Sequence, residues 1–545
     1  MNYNYSRYRL SKKEKKLERF FEIIPGMLSL IIIIGMSVIS FLNPLVAAVI
    51  IIAFLLYWLL RMLYMNIFLV LSYARLAIEK DAHWMKRTGD VDASNLDMFC
   101  EIKKYSGIKN KISAFIHCRQ LQKIENTDKP PESKDIYHLV IITVIRESRD
   151  VVEPGILSIK NGDYPSQRIL LLIALEENAA QDIKDSVFAL QKEYRDYFLD
   201  LIVSVHPNNI PNEARVKGAN ATYAAQKAVE YFKNKNIPYE NVIVSCFDAD
   251  TVPRENYFSC LTYHFMVTPQ RTKASYQPIP IYYNNVWNVP SFARIIDIGT
   301  SFFQLVEATN PSKLITFSSH SMSFKALVDV GFWPVDMISD DSAIFWKAFI
   351  HYDGNYRVVP MYTTVSMDIA TGKNIWGTFS SIYKQKRRWA WGVENFPIVM
   401  RAFLKSKRIS FYKKARYGFK LLDSFVSWAT WSFLLAFVCW LPALFAGREF
   451  ISSTVYYTAP RIRGTIFILA SIGIFVCMII SLLLLPAKDK KNIFLIKLAH
   501  MFEWLLIPII VLVLSALPAL DAQMRLLFGK YMEFWVTEKY RNKKE

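Results

Sequence analysis

From Ile23 to Leu60 the chain carries no charged residue, and Asn43-Pro44 interrupts this run near its middle. One membrane crossing needs about 20 apolar residues, so a run of this length reads as a two-helix hairpin rather than a core helix. It is too long for a cleaved leader, and no small-residue cleavage site precedes a polar continuation. Three more charge-free stretches follow a long polar middle: Ser424 to Gly447, Gly464 to Ala487, and Trp504 to Leu520. The sequence therefore predicts five spans, two before the polar middle and three after it.

The formal charge of +19 follows the same layout. Basic clusters at Arg9 to Lys16, Lys405 to Arg416 and Lys488 to Lys491 flank the spans, the positive-inside distribution. That places the amino terminus and the polar middle in the cytoplasm of a plasma or inner membrane, with basic residues on anionic lipid headgroups. Nucleic acid is not an expected partner: the charge sits beside the spans, and the motif stretches of the polar middle are acidic. An odd number of spans leaves the basic tail Lys539 to Glu545 outside, which conflicts with the same rule. Either a further segment enters the membrane or one span lies flat. The six cysteines show no C-x-x-C spacing, so neither disulfides nor a zinc site is expected.

Between Ile136 and Trp391 short apolar runs alternate with helical ones. His138 to Ile145, Ile169 to Leu175, Leu201 to Val205 and Val242 to Phe247 read as strands. Asp150 to Ile159, Gln181 to Phe198 and Ala221 to Lys233 read as helices between them. Such alternation predicts an α/β domain with a mostly parallel sheet, whose ligands bind beyond the carboxyl ends of the strands. The resulting division is a basic amino terminus and hairpin (1–76), a linker or accessory segment (77–135) and the α/β domain (136–392). A basic amphipathic interface segment (393–420), carboxyl-terminal spans (421–520) and a tail (521–545) complete it.

The fourth strand ends in Asp248-Ala-Asp250. A bare D-x-D is weak, since Asp90-Val-Asp92 repeats it in a stretch (Arg87 to Asp97) that reads as polar surface. Position at a strand end is what singles out the first pair: two half-buried carboxylates call for positive charge nearby. Asp340-Asp341 precede a helical run, Lys384-Gln-Lys-Arg-Arg-Trp-Ala-Trp-Gly392 is a cationic-aromatic block, and Lys217 opens a helix.

Taken in order, Asp248/Asp250, Asp340/Asp341 and Gln385/Arg388/Trp389 resemble the D-x-D, E-D and Q-x-x-R-W motifs of family 2 glycosyltransferases. The likeness is to the membrane-embedded branch that includes cellulose, chitin and hyaluronan synthases, and it covers roughly Ile136 to Gly392. It implies a glycosyltransferase A-type domain set between transmembrane helices. The implied activity is inverting, metal-dependent transfer from a UDP- or GDP-sugar to a growing polysaccharide. By resemblance Asp250 and Asp248 hold Mg²⁺ or Mn²⁺, with Asp248 also near the donor. Asp341 is the base beside Asp340, Arg388 meets the diphosphate, and Gln385 and Trp389 bind the acceptor. Oxygen ligands suit such a cation, and an arginine fork suits phosphate. Glu147 and Glu177 stand where the family contacts the nucleobase; the family's usual acid at the second position is Asp. Lys217 is a phosphate contact or a surface lysine, and His320 lines the acceptor pocket or is a loop histidine. Capping of the helix after Ser339 is the bland reading of the acidic pair. For Lys384 and Lys386 the bland reading is contact with headgroups, and Trp376, Trp389 and Trp391 would suit an interfacial belt. Two alternatives stand beside it: single transfer to a polyprenyl phosphate or glycolipid, since Q-x-x-R-W also occurs in lipid-modifying relatives, and a transporter with a regulatory nucleotide domain, against which the spans carry no run of ionisable residues.

Overall fold

Two long helices open the chain, α1 (Lys12–Leu42) and α2 (Pro44–Glu79), in a computed structural model that describes residues 3, 5, 6, 10–93, 106–124, 129–486, 493–533 and 535. Cys100, Lys488 to Lys491 and the tail Lys539 to Glu545 lie outside the described residues. A capping box between Ser11 and Glu14 starts α1. Asn43 ends α1 and caps α2, its side chain accepting from Val46 N at 3.1 Å, while Pro44 takes the first turn, where a missing N–H costs nothing.

Four described helices are long and apolar enough to cross a membrane: α1, α2, Thr454–Leu484 and Lys497–Leu527. The expected third span is instead a bent pair, Phe411–Ala436 and Val438–Leu444, with 41° between them. Pro442, which lacks an N–H, sits in the second piece. The count is thus four, or five with the bent pair as one span. Buried polar contacts knit the bundle: Ser29 donates to Gln523 at 2.7 Å, and the Gln523 amide donates to the Phe425 carbonyl at 2.7 Å. Hydrogen bonds of this kind hold helices together where apolar surface alone gives little preference.

After α2 the segment expected as polar surface starts as a helix, α3 (Trp84–Asp92), with Trp84 and Arg87 buried. Arg87 pairs with Glu79 at 2.8 Å and lies 4.5 Å over the Trp84 ring, so its charge is spent inside the fold. Then come α4 (Ile108–Ile124), β1 (Tyr137–Val144), α5 (Arg149–Lys160), β2 (Ile169–Glu176), α6 (Gln181–Tyr194), β3 (Asp200–His206), α7 (Lys217–Asn234) and β4 (Val242–Asp248). The sequence next forms β5 (Val252–Pro253), α8 (Tyr257–Val267), β6 (Ala274–Tyr282), α9 (Ser291–Ala308), β7 (Ser321–Ser323) and α10 (Phe324–Asp329). Before the carboxyl-terminal helices come α11 (Asp340–His351), β8 (Arg357–Met367), α12 (Ile375–Ala390), α13 (Asn395–Lys405) and α14 (Phe411–Ala436).

Leu139 and Ile141 of β1 join one core with the alanine face of α7, whereas Val140 and Ile142 join the core on the other face. This double burial explains the unbroken apolar runs, each fully buried Leu or Ile contributing about 1.5–3 kcal/mol. Sheet order is β3-β2-β1-β4-β7-β6-β8-β5. The first four strands are parallel, as expected, but β7 runs antiparallel to β4 and β6, so the sheet is mixed. Three residues, Ser-Met-Ser, are too short and too polar to announce a strand by periodicity. The chain winds outward through β2 and β3 and then returns to β4 on the other side of β1. Strand order therefore reverses between β1 and β4, where Thr143 pairs with Asp248. Ligand crevices in such sheets form at this reversal.

The stretch expected to lie along the interface (393–420) divides in two. α13 buries Phe396, Ile398, Val399 and Phe403, and its Arg401 meets Glu18 of α1 at 2.9 Å. The rest runs into α14, whose Phe411 and Tyr412 are exposed.

Candidate functional site

One cavity of about 700 Å³ opens at the strand reversal. Its sheet-side wall holds Glu147, Asp248, Asp250 and the α11 pair, and its other walls include Gln385, Arg388 and Trp389 of α12. The cavity continues between the apolar helices, past Arg61 of α2, Trp428 and Trp431 of α14, and Ile510 and Ser515 near the carboxyl end.

Lys217, the first residue of α7, lies between two carboxylates: its Nζ is 2.7 Å from Asp248 Oδ1 and 3.1 Å from Asp341 Oδ1. It is buried, which excludes the surface-lysine reading. Burial alone would push the ammonium pKa down, yet Asp248 and Asp341 outweigh it and hold the value well above the usual lysine range. Ser318 Oγ donates to Asp248 Oδ2 at 2.5 Å. Asp250, 1% exposed, accepts from the backbone N–H of Asp368 at 2.7 Å.

The α11 pair divides its surroundings. Asp340 is 4% exposed, and burial, reinforced by Asp341, holds its pKa well above the carboxylate range despite nearby Lys217 and Arg388. Asp341 has 26% of its side chain exposed and faces the cavity. Ser339 takes the cap position but makes no capping side-chain bond. Glu394 instead accepts from Ser339 N at 3.0 Å and Oγ at 2.7 Å, and Asn395 donates to Ser339 Oγ at 2.9 Å. The start of α11 is thus braced from the 3-10 turn after α12 (Trp391–Glu394) and the first residue of α13. Tyr5 extends this brace, its hydroxyl donating to Asn395 at 2.6 Å.

Gly218 explains how α7 comes so close. A Cβ there would lie 2.4 Å from the Pro334 carbonyl and 3.0 Å from Asp340 Cβ. Gly218→Ala is expected to cost about 1–3 kcal/mol by overpacking. Displacing Lys217 from both carboxylates should also lower turnover by up to about 100-fold. Thermal melting and nucleotide release read the two effects separately.

Gln385 is buried, and its Oε1 has no hydrogen-bond partner among the described residues. Trp389 is flanked by Tyr282 and Phe317, ring centres 6.1 and 5.8 Å away. Lys386 does not reach toward lipid. It is 2% exposed, with Nζ 2.5 Å from Asp297 Oδ1 and 3.1 Å from Thr300 Oγ1. Of the proposed belt, Trp376 is exposed and Trp391 buried. Glu147 accepts from the N–H groups of Ile145 and Arg146 at 2.8 and 2.9 Å, holding the end of β1 at the cavity wall. Glu177 is not brought to the cavity: it is exposed and accepts from Asn208 N at 2.8 Å. His320 is fully buried, 3.9 Å from Asp341, and burial pushes its pKa down.

Sequence reading missed Ser318, Asp368, Glu394 and the Asp297–Lys386 pair. Only Asp297, an acid set among the apolar residues Ile295, Ile296 and Ile298 of α9, carried a signal. All five described cysteines are free.

A parallel half-sheet with carboxylates at its reversal point, set among apolar helices, is the layout of an α/β nucleotide-sugar transferase of glycosyltransferase A type. The chain belongs to the family described as Glycosyl transferase family group 2, whose model matches residues 243–517, just over half of its length. It is 22% identical over 374 residues to the poly-beta-1,6-N-acetyl-D-glucosamine synthase of Staphylococcus epidermidis, covering 66% of this chain and 78% of that one. The synthase of Staphylococcus aureus strain MSSA476 is 25% identical over 267 residues, 45% of this chain and 58% of that one. Among solved structures, the mannosyltransferase PcManGT of Pyrobaculum calidifontis with GDP-Man and Mn²⁺ has a TM-score of 0.38 at 14% identity, over 70% of this chain and 98% of that one. S. aureus TarS 1-349 with UDP-GlcNAc has a TM-score of 0.32 at 13% identity, over 60% of this chain and 91% of that one.

Proposed function

We propose that this chain extends a polysaccharide from a nucleotide sugar at the inner face of a membrane, with Asp341 as base and the helix-lined arm of the cavity receiving the product. What supports this reading is one observation. Asp248, Asp250, Asp341, Arg388 and Trp389 share a single cavity that continues between helices long enough to span a bilayer. The basic flanks of the apolar stretches support a transferase on the cytoplasmic side.

Asp248 and Asp250 would hold the cation. Among the described residues no three His, Cys, Asp or Glu could hold a metal by themselves. Two carboxylates fit Mg²⁺ or Mn²⁺, which takes its remaining oxygens from phosphate and water. When bound, the cation offsets charge growing on the leaving diphosphate. By the family resemblance Asp250 would be the more direct ligand, and Lys217 and Ser318 already engage Asp248. Arg388 lies on the same wall, where a guanidinium can fork onto phosphate oxygens. The acceptor hydroxyl gives its proton to Asp341 as its oxygen bonds the anomeric carbon. The bond from that carbon to the diphosphate oxygen breaks, the nucleoside diphosphate leaves, and the configuration inverts. Trp389 offers the acceptor sugar a flat apolar surface.

The relatives named above make UDP-N-acetylglucosamine the first donor to try. Detergent-purified protein with Mn²⁺ or Mg²⁺ is expected to release nucleotide from one UDP- or GDP-sugar and to build saturable chains sized by gel filtration. A product confined to singly glycosylated lipid would replace the polymer reading with transfer to a lipid-linked acceptor. No donor turnover, even with added lipid, would overturn both.

A further inference from the structure

The Asp297–Lys386 pair is a charged contact sealed in the interior, joining α9 to α12. Asp297 is 0% and Lys386 2% exposed at the side chain. Such a pair stabilises little over an apolar contact of the same volume, because both ions lose hydration, so its presence beside the cavity calls for another account. Its surroundings supply one. Lys386 Nζ sits 3.8 Å from the centre of the Trp389 ring, over its face. Tyr282 and Phe317 flank the same indole, and Thr300, Lys386 and Trp389 all lie on the cavity wall. Asp297 and Thr300 thus fix the ammonium from α9, and the ammonium fixes the indole one turn further along α12.

We infer that Asp297 and Lys386 are positioning residues for the acceptor: they hold the Trp389 ring in the plane on which the acceptor sugar packs. This rests on the reading of Trp389 as an acceptor contact. A cation over an indole is worth about 0.5–2 kcal/mol, so freeing the ring should weaken acceptor binding about 2- to 30-fold. The donor-side carboxylates are held by other groups, Asp248 by Lys217 and Ser318 and Asp250 by the Asp368 N–H, none of them on α9 or α12, so donor affinity should not follow.

Three variants test it: Lys386→Met, Lys386→Arg, and the double change Lys386→Met with Asp297→Leu, which removes both charges and leaves no buried unpaired ion. Kinetics use UDP-N-acetylglucosamine, or the donor found above, with a β-1,6-linked N-acetylglucosamine oligosaccharide as acceptor. In the two Met variants acceptor KM is expected to rise within that range, with donor KM and donor hydrolysis without acceptor unchanged. Lys386→Arg should recover most of the loss. Fluorine NMR of fluorotryptophan-labelled protein, the Trp389 signal assigned by Trp389→Phe, should show that signal shifted in both Met variants. It is read whether or not turnover is seen. An unshifted signal, an unchanged acceptor KM, or equal losses for donor and acceptor would overturn the inference. Absence of turnover in the unaltered protein would instead sink the proposed function.

Discussion

Asp341→Asn is expected to lower kcat by about 10²–10⁴-fold, the range that a positioned general base contributes, and to leave donor KM nearly unchanged. The substitution keeps the shape of the side chain and removes its ability to accept the acceptor's proton. Donor binding should survive because Lys217 keeps Asp248 at 2.7 Å, and the strand-end carboxylates are untouched. Asp340 is a poor replacement. It is 4% exposed, and burial raises its pKa well above the carboxylate range, which disfavours the charged form. Nucleotide release at saturating donor measures the effect. Full activity in the variant would remove Asp341 from the mechanism, and a matching rise in donor KM would make it a donor contact instead.

Asp250→Asn is expected to abolish most metal-dependent donor binding. Losing even an outer partner of a metal ligand costs about 10–100-fold in affinity, and a direct ligand should cost at least as much. The fold should hold, since the asparagine oxygen still accepts the Asp368 N–H that Asp250 takes at 2.7 Å. Titration calorimetry of Mn²⁺ in the presence of UDP separates the cases. A strongly weakened metal isotherm with an unchanged melting temperature supports Asp250 as ligand. An unchanged isotherm would move the cation elsewhere.

Much of this was legible in the chain because apolar strands and charge-free helices write long, periodic signals. Val242 to Phe247 could be read as a strand, and Asp248 as its end, from composition alone. The acidic pair and the Gln385/Arg388/Trp389 spacing were visible as motifs, yet not their meeting: Lys217 joins Asp248 to Asp341 across 93 residues of sequence, counting from the one acid to the other. Lys386 misled for a related reason. A lysine in a basic cluster looks solvated until its partner is known, and Asp297 lies 89 residues away. β7 was hidden because strand pairing, not side-chain pattern, makes it a strand. Glu177 stayed at the surface because the turn after β2 directs it to Asn208 N, not toward the crevice.

The cavity draws its walls from both sides of residue 392, where the sequence suggests the α/β domain ends. Trp428, Trp431, Ile510 and Ser515 belong to helices beyond that boundary, yet they wall the same space as Asp341. The family match itself crosses the boundary, running from 243 to 517. A protein cut at residue 392 would keep the sheet-end carboxylates and lose the far wall. The apolar helices are therefore part of the shape of this cavity, and whatever covers their outer faces bears on the room left inside it.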